Sequence, residues 1–530
     1  MEERTQAPAL PTDAVVTEIK DRQETKQALP EWKVSGIFSS HMVLQQNHPV
    51  CVWGWSSHTG AAVQGFWTGK KDSDKQDKSV YSDAFAAECV TGDVAAECVS
   101  GVVDQNGRFE LRFASRPASF EPSQMKIVSA YGETVLEDIL VGDVWLIGGQ
   151  SNAELNLEPC LGDSPDIAQS LDEALPIRLF CQTQVGAAES TQFHYVPSQD
   201  IIKKEWCWKR PGAKAAKSFS AIGYYVARLV QPQIQIPVGI IMMCAGGACL
   251  RELMPLELAH KLGYREGVNV PAAGYFNTLI APLIGIGVKG QIFFQGESEG
   301  IWEEMAHSYG EDLAEFVEDE RRRFGVDFSF YNIQLSSYRE ECDDYFKHLY
   351  WVRASQYKGL SLIPNSYLTV ARDLGSLPGE ADFAHSPHKY ALAKRVAAQI
   401  LAGDYGIGEI KKTNSPMPVK AVRNQDTVTV AFDCVNGRLS PAQTTDRWKG
   451  CVKTADSPVT GFSFMDTQGR EIPARAWIIS DDSVQVEIPE HTDGVEVHYA
   501  MNNMAYLEQA NLCGGTGLPV PAFAVGCTAE

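Results

Sequence analysis

Between residues 142 and 404 the sequence alternates short, almost entirely apolar segments with segments of helical periodicity, and this alternation restricts the possible folds more than any other feature. It is typical of a parallel sheet whose strands are connected by helices that cover its faces. We predict five strands, at 143–148, 238–244, 291–294, 328–334 and 367–371. Apolar residues at helical spacing predict helices over 219–230, 305–316 and 392–400. The predicted fold class of this region is therefore α/β.

The sequence on either side of this region has β character. Short β-type runs separated by turn residues occupy 36–140, and similar runs follow residue 404. Before residue 35, large apolar residues are scarce in a charged background, which favours disorder. A chain of 530 residues commonly holds two or three domains. We predict a disordered leader at 1–34, a β-sandwich-like module at 35–140, an α/β domain at 141–411 and a C-terminal β module at 412–530.

The charge of the chain argues against two classes of partner. The formal net charge is -21, and the sequence contains no long run of Lys and Arg to act as a local exception. Such a surface repels the phosphate backbone of nucleic acids and the headgroups of anionic lipids. We therefore expect neither a nucleic acid nor a membrane partner. The sequence does not indicate an oligomeric state.

Two further features favour a cytoplasmic location. Residues 1–32 are polar and interrupted by Pro8, Pro11 and Pro30, so they lack the apolar run of a secretory signal. The thirteen cysteines are scattered without CxxC pairs, which suits reduced thiols better than a disulfide framework. The most apolar stretch, 236–250, is broken by Pro and Gly and is shorter than the roughly 20 residues that cross a bilayer.

Polar and small residues follow several of the predicted strands directly. In doubly wound sheets, ligands bind at the carboxyl ends of the strands. Four segments occupy such places: Gly-Gly-Gln-Ser-Asn at 148–152, Ala-Gly-Gly-Ala at 245–248, Gln-Gly-Glu-Ser at 295–298 and Asp-Phe-Ala-His at 382–385. Together they supply the residue types of a serine hydrolase.

The chemistry of a serine hydrolase explains why these residue types matter. A serine hydroxyl needs a nearby base and hydrogen-bond donors for the oxyanion that forms on attack. Ser151 follows two glycines at a strand-to-helix turn, a place where a serine is alternatively only a helix N-cap. His385 has the chemistry of a general base, and Asp382 can fix its tautomer. Gln295 is either an amide donor to the oxyanion or a buried glutamine that holds loops together.

The residues that carry these features resemble a known family. The run Gly-Asp-Val-Trp-Leu-Ile-Gly-Gly-Gln-Ser-Asn at 142–152 resembles the signature of sialate O-acetylesterase-like proteins, a branch of the SGNH (GDSL) hydrolases. Further segments similar to the family are 37–45, 219–225, 236–239, 275–283, 294–298, 330–335 and 517–523. The resemblance covers about residues 35–525 and implies a flavodoxin-like SGNH hydrolase domain with helices on both faces of a parallel sheet.

The resemblance also implies roles for individual residues. Ser151 would be the nucleophile, His385 the base and Asp382 its orienting carboxylate. The oxyanion hole would consist of the Ser151 amide, a glycine amide from Gly246 or Gly247, and Gln295.

This chain departs from the family pattern at several positions. Many relatives have Asp-Ile-His-Pro, whereas this chain has Asp-Phe-Ala-His-Ser-Pro-His at 382–388, so His388 is an alternative base and Asp373 an alternative carboxylate. The usual Gly-Gly-Thr ends here in Ala248, and Leu253 stands where a tryptophan is expected. We therefore expect an acyl or sugar pocket that differs from that of relatives.

The function that the resemblance implies is carbohydrate O-acetylesterase activity, with sialic acid or acetylated xylan or mannan oligosaccharides as substrates. Candidate substrate-binding residues are Asn152, Glu297 and Arg251, although Glu297 could instead organise the loop of Gln295. No cofactor is expected, and no metal, since histidines and cysteines lack ligand spacing. The alternative hypothesis is a non-catalytic carbohydrate-binding protein with an inactive esterase domain.

Overall fold

The computed structural model describes twelve parts of the chain, and everything below refers to them. They are residues 29–69, 97–172, 174–182, 196–339, 345–376, 380, 382, 384–446, 450–453, 458–492, 494–504 and 509–529. Residues 1–28, which make up most of the predicted leader, and Phe383 of the predicted site lie outside them. In these parts no helix combines the length and apolar character needed to cross a bilayer.

The described residues before 132 form strands. They are β1 Lys33–Val34, β2 Val43–Gln45, β3 Val50–Trp55, β4 Ala62–Gly69, β5 Glu97–Val102, β6 Arg108–Phe113 and β7 Ser119–Ser129. Strands β1, β3 and β6 form one sheet, while β2, β4, β5 and β7 join the largest sheet of the molecule. Residues at the end of the predicted leader thus pair with β3, Lys33 opposite Trp55.

The largest sheet continues into the α/β region. Its remaining strands are β8 Gly132–Gly149, β9 Ile177–Gln182, β10 Trp208–Lys209, β11 Val238–Cys244, β12 Gly290–Phe294, β13 Ser329–Gln334 and β14 Ser366–Val370. The order is β10-β9-β11-β8-β12-β13-β14, and all neighbours except β10 and β9 are parallel. The five predicted strands are all present, so the α/β class is confirmed, while β9 was not predicted.

Helices cover both faces of this sheet. They are α1 Ser151–Glu154, α2 Pro165–Gln169, α3 Ala213–Lys217, α4 Ala221–Ile234, α5 Leu250–Leu253, α6 Leu256–Lys261, α7 Glu303–Phe324, α8 Leu349–Leu360, α9 Lys389–Tyr405 and α10 Ile410–Thr413. Short 3-10 helices lie at Glu158–Asp163, Ala281–Leu283, Ser298–Ile301 and Arg372–Leu374, and a π-helical turn at Phe276–Ile280.

The two faces can be assigned from neighbouring residues of β8. A Cβ added to Gly223 of α4 would lie 3.2 Å from Ile147, so α4 packs closely on that side. A Cβ added to Gly148 would lie 3.1 Å from Phe293, whose ring lies 5.5 Å from that of Phe316 in α7. Because successive residues of a strand point to opposite faces, α4 and α7 lie on opposite sides of the sheet.

The residues after 416 form strands again. They are β15 Met417–Asn424, β16 Thr427–Asp433, β17 Ser440–Asp446, β18 Gly450–Lys453, β19 Phe462–Met465, β20 Glu471–Pro473, β21 Ala476–Ile478, β22 Ser483–Glu487, β23 Glu496–Tyr499, β24 Leu512–Cys513, β25 Phe523–Gly526 and β26 Thr528–Ala529. Their buried apolar residues form a core of their own, whereas one continuous core joins residues 37–400. Strand β8 runs across the predicted boundary at 140, and the domain boundaries stay predictions.

Helix α7 buries a carboxyl group against the sheet, which gives a testable pH dependence. Glu320 is 1% exposed, and burial raises its pKa to about 8 from the ordinary value of 4.5. The folded chain therefore holds this proton at pH values where the unfolded chain has lost it. The contribution of Glu320 to the free energy of unfolding therefore falls as the pH rises from about 4.5 to about 8, with a slope of up to about 1.4 kcal/mol per pH unit.

We expect Glu320→Gln to remove this contribution, because the neutral amide has nearly the shape of the protonated carboxyl. Relative to the parent, the Tm of the variant should be higher at pH 8 than at pH 5 in thermal melts followed by circular dichroism. Glu318→Gln, an exposed position of the same helix, is the matched control and should show no such difference. An equal Tm difference at both pH values for Glu320→Gln would contradict the assignment.

Candidate active site

Strand β8 ends in a turn that only glycine can form. Gly149 has φ +130°, and a Cβ on it would lie 2.0 Å from the carbonyl oxygen of Phe294 in the neighbouring strand β12. The next amide, that of Gln150, donates to the same oxygen at 3.1 Å. Helix α1 then begins at Ser151. The close approach of the two backbones thus sets Ser151 at the carboxyl edge of the sheet.

A loop before α9 brings a histidine to this serine. The Nε2 of His385 lies 2.8 Å from the Oγ of Ser151, and its Nδ1 lies 2.9 Å from Oδ2 of Asp382. The other oxygen of Asp382 accepts the backbone amides of Ala384 at 2.8 Å and His385 at 2.9 Å. A hydrogen on Nδ1, directed at Asp382, leaves Nε2 able to accept the serine proton. The three side chains form one hydrogen-bonded chain.

The charge of Asp382 is favoured by its surroundings. Partial burial works to raise the pKa of this carboxyl, but the hydrogen bonds from Ala384, from the His385 amide and from the His385 ring outweigh it and lower the pKa below its usual value. The His385 side chain is 31% exposed and the Asp382 side chain 51% exposed. The site is therefore open to solvent, with an ionised carboxylate beside the imidazole.

The two alternatives that the sequence left open lie elsewhere. His388 is held between two carboxylates, with Nδ1 bonded to Asp163 and Nε2 lying 2.5 Å from Glu380. Asp373 forms a bidentate ion pair with Arg395, whose two terminal nitrogens lie 2.7 and 2.6 Å from the carboxylate oxygens. Both ring nitrogens of His388 and both oxygens of Asp373 are engaged away from Ser151, so the geometry favours the His385 and Asp382 pair.

Strand register brings the turn after β11, which contains Gly246 and Gly247 and is called the glycine turn below, close to Ser151. Gly149 pairs with Cys244 at the end of β11, and the amide of Ala245 donates to the Gly149 carbonyl at 3.1 Å. The Gly247 carbonyl accepts Asn269 Nδ2 at 2.6 Å and Ser298 Oγ at 2.7 Å, which fixes this peptide. Within the described parts of the chain, the amides of Gly246 and Gly247 have no acceptor. They are donors that a substrate oxygen could use.

The side chain of Gln295 is engaged by other groups of the protein. It is fully buried, and its Nε2 donates to the carbonyl of Ala248 at 3.0 Å and to Glu299 at 2.6 Å, with Gln150 Oε1 a further neighbour at 3.2 Å. Its Oε1 accepts the Tyr309 hydroxyl at 2.8 Å. An amide nitrogen has two hydrogens, and both are used here. This geometry does not support Gln295 as an oxyanion donor; it fits the alternative of a glutamine that holds loops together.

No pattern in the sequence singles out Glu299, the partner of Gln295. This carboxyl is buried, and burial raises its pKa to about 7, against the opposing effects of hydrogen bonds from the Leu250 amide and Gln295. It joins the start of α5 to the loop after β12. In the sequence it is one acidic residue among several that follow this strand.

Two predicted substrate-binding residues lie beneath the site instead of in it. Asn152 is 1% exposed and Glu297 is 2% exposed. Asn152 Nδ2 donates to Glu297 at 2.7 Å and to the carbonyl of Ala384 at 3.2 Å. Burial raises the pKa of Glu297, partly offset by hydrogen bonds from Asn152 and Tyr338. Neither side chain is accessible to a sugar, and the alternative role for Glu297, organising loops, fits the structure better.

Arg251, the third predicted substrate-binding residue, lies on α5 just after the glycine turn. Its guanidinium carbon is 5.5 Å from the ring centre of Tyr264 and 5.4 Å from that of Trp302. Trp302 is 38% exposed, and Arg251 is half-buried. Across the residues that the structure describes, Arg251 has no carboxylate partner, so its charge is available to a ligand.

The described residues contain no group of three or more His, Cys, Asp or Glu side chains placed to hold a metal ion.

Comparison with known proteins relates this site to a family. Residues 141–402 match the family model described as carbohydrate esterase, sialic acid-specific acetylesterase. Human sialate O-acetylesterase is 24% identical in an alignment of 322 positions that covers 54% of this chain and 57% of that protein. The mouse enzyme of the same name is 22% identical over 342 residues, covering 54% of this chain and 60% of that protein. The chain thus matches well under two thirds of the length of these curated relatives.

A solved structure extends the likeness along most of the chain. The crystal structure of a carbohydrate acetylesterase from Xanthomonas citri superposes with a TM-score of 0.72 at 25% identity, covering 93% of this chain and 99% of that protein. The family match spans β8 to α9, the region that carries Ser151 and His385. Over residues 141–402 the chain thus matches the sialate O-acetylesterase family of carbohydrate esterases.

Proposed function

We propose that this chain is a carbohydrate O-acetylesterase in which Ser151 is the nucleophile, His385 the general base and Asp382 its orienting carboxylate. The observation that carries the proposal is the continuous chain of contacts, 2.8 Å from Ser151 to His385 and 2.9 Å from His385 to Asp382. Two distant segments, at 151 and at 382–385, meet in the arrangement that activates a serine.

The proposed reaction has two steps. Ser151 Oγ attacks the acetyl carbonyl while His385 Nε2 takes its proton, and the imidazolium then protonates the departing sugar oxygen. Water, deprotonated by the same imidazole, attacks the acetyl-enzyme and releases acetate and the free serine. In both steps the oxyanion receives hydrogen bonds from the Ser151 amide and from Gly246 or Gly247, while Asp382 holds the Nδ1 hydrogen.

The proposal includes the architecture around the site. We place the reaction in a flavodoxin-like SGNH domain flanked by two β modules at the predicted boundaries. A cytoplasmic location remains part of the proposal on the ground of cysteine usage. The alternative of a non-catalytic carbohydrate-binding protein is not favoured, because binding alone needs no serine hydroxyl aligned with an imidazole and a carboxylate.

An O-acetylated sugar is the proposed substrate. The relatives are named as sialate O-acetylesterases or as a carbohydrate acetylesterase, which supports sialic acid or acetylated xylan or mannan oligosaccharides. We propose Arg251 as a substrate-binding residue, since an arginine without a carboxylate partner can bind the carboxylate of an acidic sugar. Trp302 beside it offers an apolar face to a sugar ring.

Replacement of Ser151 tests the function. Ser151→Ala should lower acetate release from p-nitrophenyl acetate and from acetylated sugars by roughly 10⁴–10⁶-fold, because among the described residues only the Ser151 hydroxyl is bonded to His385. The measurement is acetate release per enzyme, with the Tm as a control for folding. Equal turnover in the parent and the variant would reject the serine mechanism, and a parent no faster than the uncatalysed reaction would leave the carbohydrate-binding alternative.

Replacement of Asp382 tests the orientation of the base. Asn at 382 keeps an oxygen for the two backbone amides but presents an NH₂ group to His385 Nδ1, which forces the Nε2–H tautomer that cannot accept the serine proton. We expect kcat to fall roughly 10²–10⁴-fold with little change in KM. His385→Gln should be at least as damaging, and His388→Gln should keep most of the parent kcat. A greater loss in His388→Gln than in His385→Gln would assign the base to His388.

Replacement of Arg251 tests the class of sugar. If the substrate is an acidic sugar, Arg251→Gln should raise KM for O-acetylated sialic acid by about 10-fold or more, since a charge-assisted hydrogen bond contributes about 1.5–3 kcal/mol. The loss on acetylated xylo-oligosaccharides and on p-nitrophenyl acetate should be several-fold smaller. Equal losses on acidic and neutral sugars would remove Arg251 from carboxylate binding.

A further inference from the structure

A buried lysine lies directly behind the serine and histidine. Lys389, the first residue of α9, is 3% exposed, and its Nζ donates to Oδ1 of Asn152 at 2.7 Å. Its ammonium also lies 5.7 Å from the ring centre of Phe294, but within the described residues it forms no ion pair with a carboxylate. A buried ammonium without such a partner is costly, so its position calls for a physical reason.

The charged neighbours of Asn152 allow its carboxamide only one orientation. An ammonium group can only donate hydrogen bonds, and an ionised carboxylate can only accept them. Lys389 therefore requires the oxygen of Asn152 to face it, and Oε1 of Glu297, which also accepts the Tyr338 hydroxyl at 2.8 Å, accepts the nitrogen at 2.7 Å. In this orientation Nδ2 also reaches the hydroxyl of Tyr338 at 2.9 Å and the carbonyl of Ala384 at 3.2 Å. Reversal of the carboxamide would break the contacts with Lys389, Glu297 and Ala384.

This carboxamide connects the two halves of the site. Asn152 follows Ser151, and Ala384 precedes His385. We propose that Lys389 is a positioning residue. By fixing the carboxamide of Asn152, it links the segment of Ser151 to the loop of His385 and so holds these two side chains at hydrogen-bonding distance. This role rests on the proposed function, because the distance between Ser151 and His385 matters for turnover only if these two residues react together.

The charges around Lys389 predict how the link depends on pH. Burial lowers the pKa of Lys389 to about 8, against the opposing effects of Cys160, Glu297 and Asp382. Above this pH the ammonium becomes an amine, which donates more weakly and can also accept. The carboxamide then loses one of its two constraints, so turnover should decline as the pH rises through about 8.

The test compares Lys389→Met, Asn152→Ala, the double variant and the parent. We expect Lys389→Met to lower kcat for p-nitrophenyl acetate by up to roughly 10²-fold, the size of effect that a small misplacement causes, while KM changes less than about threefold. Its kcat should show no decline near pH 8. Because Lys389 acts through Asn152, the double variant should be no slower than Asn152→Ala. Lys394→Met on the same helix is the control and should keep the parent kcat and pH profile.

The rate at which a fluorophosphonate labels Ser151 gives a second measurement, which needs no sugar substrate. It should fall in the parent above about pH 8 and stay level in Lys389→Met. Losses that add in the double variant, or the same pH profile in the parent and Lys389→Met, would overturn the proposal. If Lys389→Met fails to fold, a parent labelling rate that stays constant or rises through pH 9 would overturn it.

These outcomes separate the two proposals. A parent that labels faster than Ser151→Ala but releases no acetate from any acetylated sugar would refute the substrate class and leave the positioning role to be decided by the labelling profiles. A parent that labels no faster than Ser151→Ala would overturn both.

Discussion

The structure depends on the pairing of β8 with a parallel strand on each side. Gly149 at its end is opposite Cys244 of β11 and Phe294 of β12, so three strands finish at the same level. The backbone of Phe294 approaches so closely that no side chain fits at 149. The chain must therefore turn there, and the residues after all three strands meet at one edge. The serine, the glycine turn and the loop of Gln295 are neighbours for this reason.

This constraint explains what the sequence could predict. Strands that are buried on both faces are almost entirely apolar, so β8, β11 and β12 could be located, and the residues at their ends with them. Strand β9 was not predicted because Arg178 interrupts its apolar run. In the fold this arginine is 6% exposed and pairs with Asp138 at 3.1 Å. Helix α8 was not predicted for a similar reason. Its buried face includes Arg353 and Gln356, which donate to backbone carbonyls distant in sequence.

The site was predictable to the extent that its contacts are local. Asp382 and His385 are three residues apart, and the aspartate accepts the amides of the same short loop, so their spacing carries information. His388 is disfavoured because it contacts Asp163, and Asp373 is disfavoured because it pairs with Arg395. These partners are distant in sequence, so residue spacing could not predict the contacts. The sequence left two roles open for Gln295 because its acceptors, Ala248 and Glu299, become visible only when the loops are packed.

The polar layer beneath the site follows from the same geometry. The imidazole of His385 is 31% exposed, so apolar packing cannot fix its direction alone. Hydrogen bonds can, because they depend on angle as well as distance. The bond from Asn152 to the loop carbonyl at Ala384 supplies such a constraint from below, with Lys389 and Glu297 setting the orientation of the amide. Burying these polar groups costs stability, and in the proposed mechanism it aligns the partly exposed imidazole of His385 with Ser151 on another segment.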